Sequence, residues 1–251
     1  MKPAKSRQIL NAPLSWRDMP WGEYFRDALT QQLQPYLGKL YGFHMLKLGN
    51  LSAEINTENC AISHQVNVGS KGEQLQVLAD PMQLPFESKS VDACLMAHTL
   101  AWSQDPHRVL REVDRVLIDD GWMIISGFNP FSLLGVSKMV PGLTRKAPWS
   151  GRMFSQMRLL DWLGLLNYEV VYRTRFQVLP WHRQGGKLIS AHLPALGCLN
   201  IVVARKRTFP LLPTRAKKSL STSKIQGIRK RDTQPGLTQL FALADIHCRH
   251  T

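Results

Sequence analysis

Residues 78–130 read LADPMQLPFESKSVDACLMAHTLAWSQDPHRVLREVDRVLIDDGWMIISGFNP, and this stretch decides the fold. The run VDACLMAHTL (91–100) is short and apolar, the profile of a strand buried on both faces. PHRVLREVDRVL (106–117) then spaces Val109, Leu110, Val113, Val116 and Leu117 along one helical face. Asp105 stands in front of Pro106 as an N-cap, and IDDG closes the helix, with Gly121 expected as its left-handed cap. WMIISGFNP (122–130) reads as the next strand. A buried strand, an amphipathic helix and a second buried strand make a βαβ unit, which predicts a parallel pair.

The same alternation continues outward. Upstream, FHMLKLGN (43–50) is a short apolar run stopped by Gly49, AISHQVNV (61–68) is weakly strand-like, and LQVLAD (75–80) is closed by Asp80 and Pro81. Before them, WGEYFRDALTQQLQPYLGKL (21–40) spaces Tyr24, Phe25, Ala28, Leu29, Leu33 and Leu37 as an amphipathic helix. Downstream, MRLLDWLGLL (157–166) predicts a helix, and YEVVYRTRF (168–176) and LGCLNIVVARKR (196–207) predict two strands without a helix between them. The expectation is therefore an α/β, Rossmann-like domain: a mainly parallel sheet, helices on both faces and an antiparallel last strand. It divides the chain into an N-terminal extension and leading helix (1–40), the α/β domain (41–209) and a basic tail (210–251).

The bulk properties bound the function. Hydrophobic residues make up 44% of the 251 and charged residues 20%, enough apolar content for a core that needs no disulfides. Cys60, Cys94, Cys198 and Cys248 lack the paired spacing of a zinc site or disulfide framework, so no metal is expected. With no apolar run of membrane-spanning length and no secretory leader, the chain is expected to be cytoplasmic. Residues 205–251 hold eleven Lys/Arg against two Asp, a net +9 of the chain's +14. Such a tail is suited to phosphates of RNA, DNA or lipid headgroups, but it lacks the aromatics of a base-stacking surface, so nucleic acid is the lesser expectation.

The order of elements in residues 78–130 resembles the type 11 branch of the class I S-adenosylmethionine-dependent methyltransferases, which includes quinone-biosynthesis C-methyltransferases. The matching elements are Asp80; the turn Leu84, Pro85, Phe86; Val91 and Asp92; Asp105 and Pro106; Glu112; Arg115, Val116, Leu117; Gly121; and Asn129 and Pro130. The resemblance implies an S-adenosylmethionine-dependent transferase acting on an acceptor it leaves unknown. It implies a cofactor site formed by Leu48, Gly49 and Asn50 after the first strand, Asn67 in the second, Asp80, Pro81 and Met82 after the third, and Ala97 at the end of the fourth. Asp80 is the adenine-site candidate.

His98 and Asn129, after the fourth and fifth strands, are the candidates for acceptor chemistry, with His98 as general base; a buried packing histidine and a plain Asn-Pro turn are the alternatives. His182 and His192 are expected at the substrate mouth. Trp21, Tyr24 and Trp102 are candidates for an apolar lid, with Tyr24 and Phe25 better read as core. Asp92 is expected to hold a turn, and Glu112 with Arg115 to form a solvated pair.

The family's glycine-rich turn is largely missing. Lys47 stands where the pattern has an acid, and Leu51 and Ala53 replace later glycines, leaving Gly49 alone. The acid that grips the ribose is also absent: Asn67 is neutral, and Glu73 lies past the expected strand end. Loss of that charge-assisted bond costs on the order of 1–2 kcal/mol, about tenfold or more in affinity. Two readings stay open: a transferase with a relaxed cofactor pocket, or a catalytically silent binding protein whose tail meets an anionic partner.

Overall fold

The computed structural model describes residues 11–138, 148–179, 181 and 194–207. His182, His192 and the tail from 210 lie outside the described residues. By compactness the chain divides into Met1–Pro210 and Leu211–Thr251, and every described residue belongs to the first unit.

Seven strands form one sheet: β1 (His44–Leu48), β2 (His64–Gly69), β3 (Val77–Leu78), β4 (Val91–Ala97), β5 (Leu117–Phe128), β6 (Tyr168–Phe176) and β7 (Leu199–Lys206). Their order is β3-β2-β1-β4-β5-β7-β6. The first five run parallel, and β7 is antiparallel to both β5 and β6, as expected of the last strand. The chain proceeds outward from β1 through β2 to β3, then crosses back to β4 beside β1, so the order reverses between β1 and β4. That reversal opens a crevice at the carboxyl ends of these strands.

The period-2 alternation of β4 shows how one strand supplies two cores. Ala93, Leu95 and Ala97 face one side, packed with Phe25, Leu29, Leu33 and Leu37 of the leading helix α1 (Gly22–Leu37) and with Trp16. Cys94 and Met96 face the other, packed with Val109, Leu110, Val113 and Val116 of a helix over Pro106–Val116 and with Leu159, Trp162 and Leu163 of one over Gln156–Leu165. Both faces are covered, and the N-terminal region belongs to the same core as the sheet. Phe25 is buried and Tyr24 half-buried.

Three shorter helices complete the numbering: α2 (Asn50–Ala53), α3 (Thr99–Trp102) and α5 (Leu133–Ser137), with Pro106–Val116 as α4 and Gln156–Leu165 as α6. The crossover between β1 and β2 carries only the single turn of α2, and β2 passes to β3 through a loop over 70–76 without a helix.

At α4 the caps behave as expected at one end and differ at the other. The Asp105 carboxylate accepts the Arg108 N–H at 3.2 Å, and Pro106 opens the helix. The exit does not use Gly121 as a left-handed cap: Leu117 leaves the helix directly in extended geometry, the chain bulges, and Asp120 holds the positive φ of 64°. Gly121 is required for a different reason, since a Cβ there would lie 2.9 Å from the Ile118 carbonyl oxygen. Close backbone approach, not φ, makes this position a glycine.

Glu112 and Arg115 also do more than form a solvated pair. Arg115 bonds Glu112 at 3.0 Å and donates to the carbonyls of Leu84 and Phe86, while Glu112 accepts the Leu84 N–H. The pair braces the Leu84–Phe86 turn against α4. The hydrogen bond from Arg115 is the main reason the Glu112 carboxyl is held below its ordinary pKa, more than burial raises it.

Candidate functional site

The crevice at the reversal point begins with the end of β1. Gly49 has φ 93°, in the region that favours glycine, and its N–H bonds the Val68 carbonyl of β2 at 2.7 Å. A Cβ on Gly49 would lie 2.9 Å from Thr99 Oγ1, so the turn leaves no room for a side chain. Two hydroxyls fasten this corner. Ser52 donates to the Leu48 carbonyl at 2.6 Å and accepts the Ala97 N–H at 2.7 Å, which ties β1 to β4; Thr99 donates to the same Leu48 carbonyl at 2.5 Å.

Around this corner lies a cavity of about 550 Å³. Of the residues expected to hold the cofactor, Gly49, Asn50, Asp80, Pro81, Met82 and Ala97 line it together. Asp80 is exposed, and one of its carboxylate oxygens accepts the Met82 N–H at 2.9 Å. Leu48 does not line the cavity; it is fully buried and contributes through its carbonyl. Asn67 is also outside, because its amide donates to the Gln74 carbonyl and its N–H to Gln76 Oε1. Gly69, Ser70 and Lys71 stand instead at the wall beyond β2.

Lys47 is buried but turned away from the cavity residues. Its ammonium donates to the carbonyls of Ala53 (3.1 Å) and Ile55 (2.8 Å) and to Thr57 Oγ1 (3.3 Å), and burial holds its pKa below the ordinary lysine value. The cation thus closes the loop after α2. Leu51 lines the cavity at its edge but is itself 3% exposed within the α1-side core.

His98 and Asn129 lie elsewhere. The His98 ring is fully buried between Trp16 (5.2 Å between centroids) and Phe128 (4.1 Å), and neither ring nitrogen has a hydrogen-bond partner among the described residues. Burial pushes its pKa down to about 3, and its φ of 57° starts α3. Asn129 is fully buried as well: its amide donates to the carbonyls of Ala195 and Gly197, and its Oδ1 accepts the Phe131 N–H. Neither residue lines the crevice.

The chain contributes a wall that the sequence reading placed outside the domain. Asn11, Ala12, Pro13 and Leu14 line the crevice, held by Trp16, whose indole Nε1–H donates to the Leu51 carbonyl at 2.8 Å. A capping box at Ser15 and Asp18 sets the single turn of 3₁₀ helix there. The motif signal was present: Ser15 is followed three residues on by the acid Asp18. From the end of α3 and the residues after it come Trp102, Ser103 and Gln104, with the Trp102 ring pressed against Gly151. Trp21 does not line the cavity; its ring meets those of Trp149 and Trp181 at 6.5 and 6.4 Å.

No helix among the described residues is long and apolar enough to cross a membrane, and no cluster of three or more His, Cys, Asp or Glu among them is placed to hold a metal ion.

Comparison with known proteins agrees with the fold. Residues 44–125 match the family model described as "Methyltransferase domain". The chain is 59% identical over 226 residues to the uncharacterized protein YafS of Escherichia coli (strain K12), covering 90% of this chain and 94% of that one. Among solved structures it is similar to an S-adenosylmethionine-dependent methyltransferase from Mesorhizobium loti (TM-score 0.53, 15% identity, 72% of this chain and 100% of that one). It is also similar to the [4+2]-cyclase SpnF (TM-score 0.52, 18% identity, 73% and 81%). Likeness at these identities shows a shared fold, and a fold carries more than one chemistry. With the match to YafS over nearly its whole length, the chain belongs to the same family as YafS, and it carries, on a sheet with the strand order of the class I methyltransferase fold, a methyltransferase domain over residues 44–125.

Proposed function

We propose that the crevice binds S-adenosylmethionine and that the protein transfers its methyl group to an acceptor. The observation that carries this reading is the convergence of Gly49, Asn50, Asp80, Pro81, Met82 and Ala97, from three separate strand ends, on one cavity of about 550 Å³ at the order reversal. That volume lies within the ordinary range for small-molecule sites, roughly 300–1,000 Å³. The residues fit an adenosyl ligand: the bare backbone at Gly49 permits close approach of an amino-acid moiety, Asp80 supplies a carboxylate for the adenine amino group, and Met82 and Leu51 supply apolar walls. Gly69 and Ser70, rather than Asn67, are assigned to the ribose side.

When bound, the donor supplies an activated methyl on a sulfonium. The protein's share of the work is alignment and exclusion of water, and the wall formed by residues 11–14 serves the latter. We assign His98 a packing role, because a ring sealed between Trp16 and Phe128 with a pKa near 3 takes up no proton at neutral pH. Asn129 is assigned to tying the turn after β5 to the 194–198 segment.

Titration calorimetry with S-adenosylhomocysteine tests the reading: saturable heat at micromolar to low-millimolar ligand supports it, and its absence at millimolar ligand overturns it. A second reading, a binding protein that has lost chemistry, is favoured by one observation, the conversion of the motif acid to the structural cation Lys47. It predicts that the ligand binds without any acceptor being methylated in a cell extract supplied with labelled donor.

A further inference from the structure

Charge is unevenly divided along the domain. Residues 1–120 hold twelve Lys/Arg and fourteen Asp/Glu, a net −2, whereas residues 121–207 hold twelve Lys/Arg against Asp161 and Glu169, a net +10. Three of those cations, Arg205, Lys206 and Arg207, are bridged to Asp120, Asp114 and Glu169 near the amino ends of β5 and β6. The carboxyl ends of the same strands differ in composition. Phe128 of β5 and Phe176 of β6 both register with Leu199, so the two strands finish at one level. The connections that leave them, residues 129–155 and 177–198, contain six Lys/Arg and no Asp or Glu.

The same edge presents apolar side chains to solvent. Phe131 is 65% exposed, Val136 59% and Leu133 45%. Leu133 and Val136 stand three residues apart on the outer face of α5, while Leu134 between them is buried in the α1-side core. Contacts make the patch continuous. Asn129, whose Oδ1 accepts the Phe131 N–H, also bonds the carbonyls of Ala195 and Gly197, which flank the exposed Leu196. At the far end of α5 the Ser137 hydroxyl accepts the Trp149 indole N–H at 2.8 Å, and Trp149 meets Trp21, which in turn meets the exposed Trp181. Two residues beyond Trp149 is Gly151, against which Trp102 of the crevice wall packs, so the patch adjoins the crevice.

Exposed aliphatic and aromatic side chains beside acid-free, cationic chain are the composition of a surface that rests on an anionic bilayer: the apolar groups enter the headgroup boundary and the positive charge meets lipid phosphate. Two other occupants fit less well. A nucleic-acid backbone gives Leu133 and Val136 nothing to bury against, and a second copy would press the same positively charged half against itself. We propose that the carboxyl edge at β5, β7 and β6 docks on anionic phospholipid, with Phe131, Leu133, Val136 and Trp181 in the interface. The protein is then a peripheral membrane protein whose crevice opens beside the bilayer, whether or not that crevice transfers a methyl group.

Co-sedimentation of the full chain with vesicles tests this, using phosphatidylglycerol and phosphatidylcholine in equal parts, and phosphatidylcholine alone. Binding to the mixed vesicles is expected, with about tenfold or greater weakening on phosphatidylcholine alone. The triple variant Phe131→Ser, Leu133→Ser, Val136→Ser keeps every charge and should bind the mixed vesicles about tenfold or more weakly than the wild type. Phe43→Ser, at an exposed position near the amino end of β1, should bind as the wild type does. Tryptophan fluorescence should be quenched by brominated phosphatidylcholine in the vesicles, and less so in Trp181→Phe. Failure to bind either vesicle overturns the proposal. So does unchanged binding of the triple variant, which would assign attachment to charge elsewhere, such as the basic tail, and so does an equal loss in Phe43→Ser. If the chain ignores vesicles and instead retains RNA, or forms dimers that the triple variant loses, the surface belongs to nucleic acid or to a second copy and the membrane proposal falls. If the triple variant melts well below the wild type, Phe131→Ser alone decides, and unchanged vesicle binding there overturns the proposal.

Discussion

The indole Nε1–H of Trp16 donates to the main-chain carbonyl of Leu51 at 2.8 Å, which fastens the N-terminal wall of the crevice to the turn that follows β1. Because Trp16 is fully buried and also packs edge-on against His98, it belongs to the core and to the site at once. Trp16→Phe should keep most of the packing but leave the Leu51 carbonyl unpaired, costing about 1–3 kcal/mol, whereas Trp16→Ala should cost about 3–5 kcal/mol. Urea denaturation measures both. The Phe variant should in addition bind S-adenosylhomocysteine more weakly, since the wall over residues 11–14 loses its anchor.

Ser52 joins β1 to β4 through a single fully buried hydroxyl. Ser52→Ala removes both bonds and leaves the Ala97 N–H without its acceptor, so the expected loss is about 1–3 kcal/mol with a lowered melting temperature. Ser52→Thr, which retains the hydroxyl, should recover part of the loss; equal stability of the Ala variant and the wild type would show that the hydroxyl carries no load.

Gly49→Ala combines positive φ with a Cβ directed at Thr99 Oγ1. The expected destabilisation is about 1–3 kcal/mol, with a fall in S-adenosylhomocysteine affinity of roughly tenfold or more from displacement of the turn. Combining it with Thr99→Ser, which removes a methyl but keeps the oxygen, should not relieve the clash. Combining it with Thr99→Ala should relieve part of it. Calorimetry and thermal melting of the four proteins separate the two effects.

Burial lowers the His98 pKa from 6.5 to about 3. Between those values the unfolded chain takes up a proton that the folded chain refuses, so stability is full above about pH 6.5 and is lost as pH falls toward 3. The slope approaches about 1.4 kcal/mol per pH unit at its steepest. In His98→Leu the chain keeps an apolar side chain at the same backbone position and loses this titration, so its stability should vary less between pH 7 and 4.5. An identical pH slope in the two proteins would place the acid sensitivity elsewhere, for which Glu112 is the next candidate because its lowered pKa acts in the same direction.

Much of this architecture was readable from spacing. The face formed by Val109, Leu110, Val113 and Val116 and the apolar run at 91–100 specify a helix and a doubly buried strand with few alternatives; the helix forms as read, and the strand forms but ends at Ala97, where His98 starts α3. Six of the eight expected cofactor-side positions meet in one cavity because they sit at strand ends, where topology alone brings them together. Side-chain direction was less legible. His98 follows β4 immediately, the position expected of a catalytic residue, yet its φ is positive and its ring lies in the core. Asn67 faces the wrong way for a related reason: the helix-free loop over 70–76 folds back and occupies its amide. Trp16, Ser52 and Thr99 carried no signal, because each meets a main-chain group remote in sequence: the Leu51 carbonyl for Trp16, the Ala97 N–H for Ser52 and the Leu48 carbonyl for Thr99.

Lys47 also limits how this protein can be re-engineered. Its ammonium sits among two carbonyls and a hydroxyl, all suited to receiving hydrogen bonds, so a carboxylate grafted there to rebuild the lost fingerprint would meet oxygen on every side shown. Restoring the acid alone therefore yields a repelled, dehydrated anion and a loosened loop, not a better pocket. The surrounding segment from Ala53 to Thr57 would have to be rewritten in the same step, which makes the divergence at this position difficult to reverse by single substitutions.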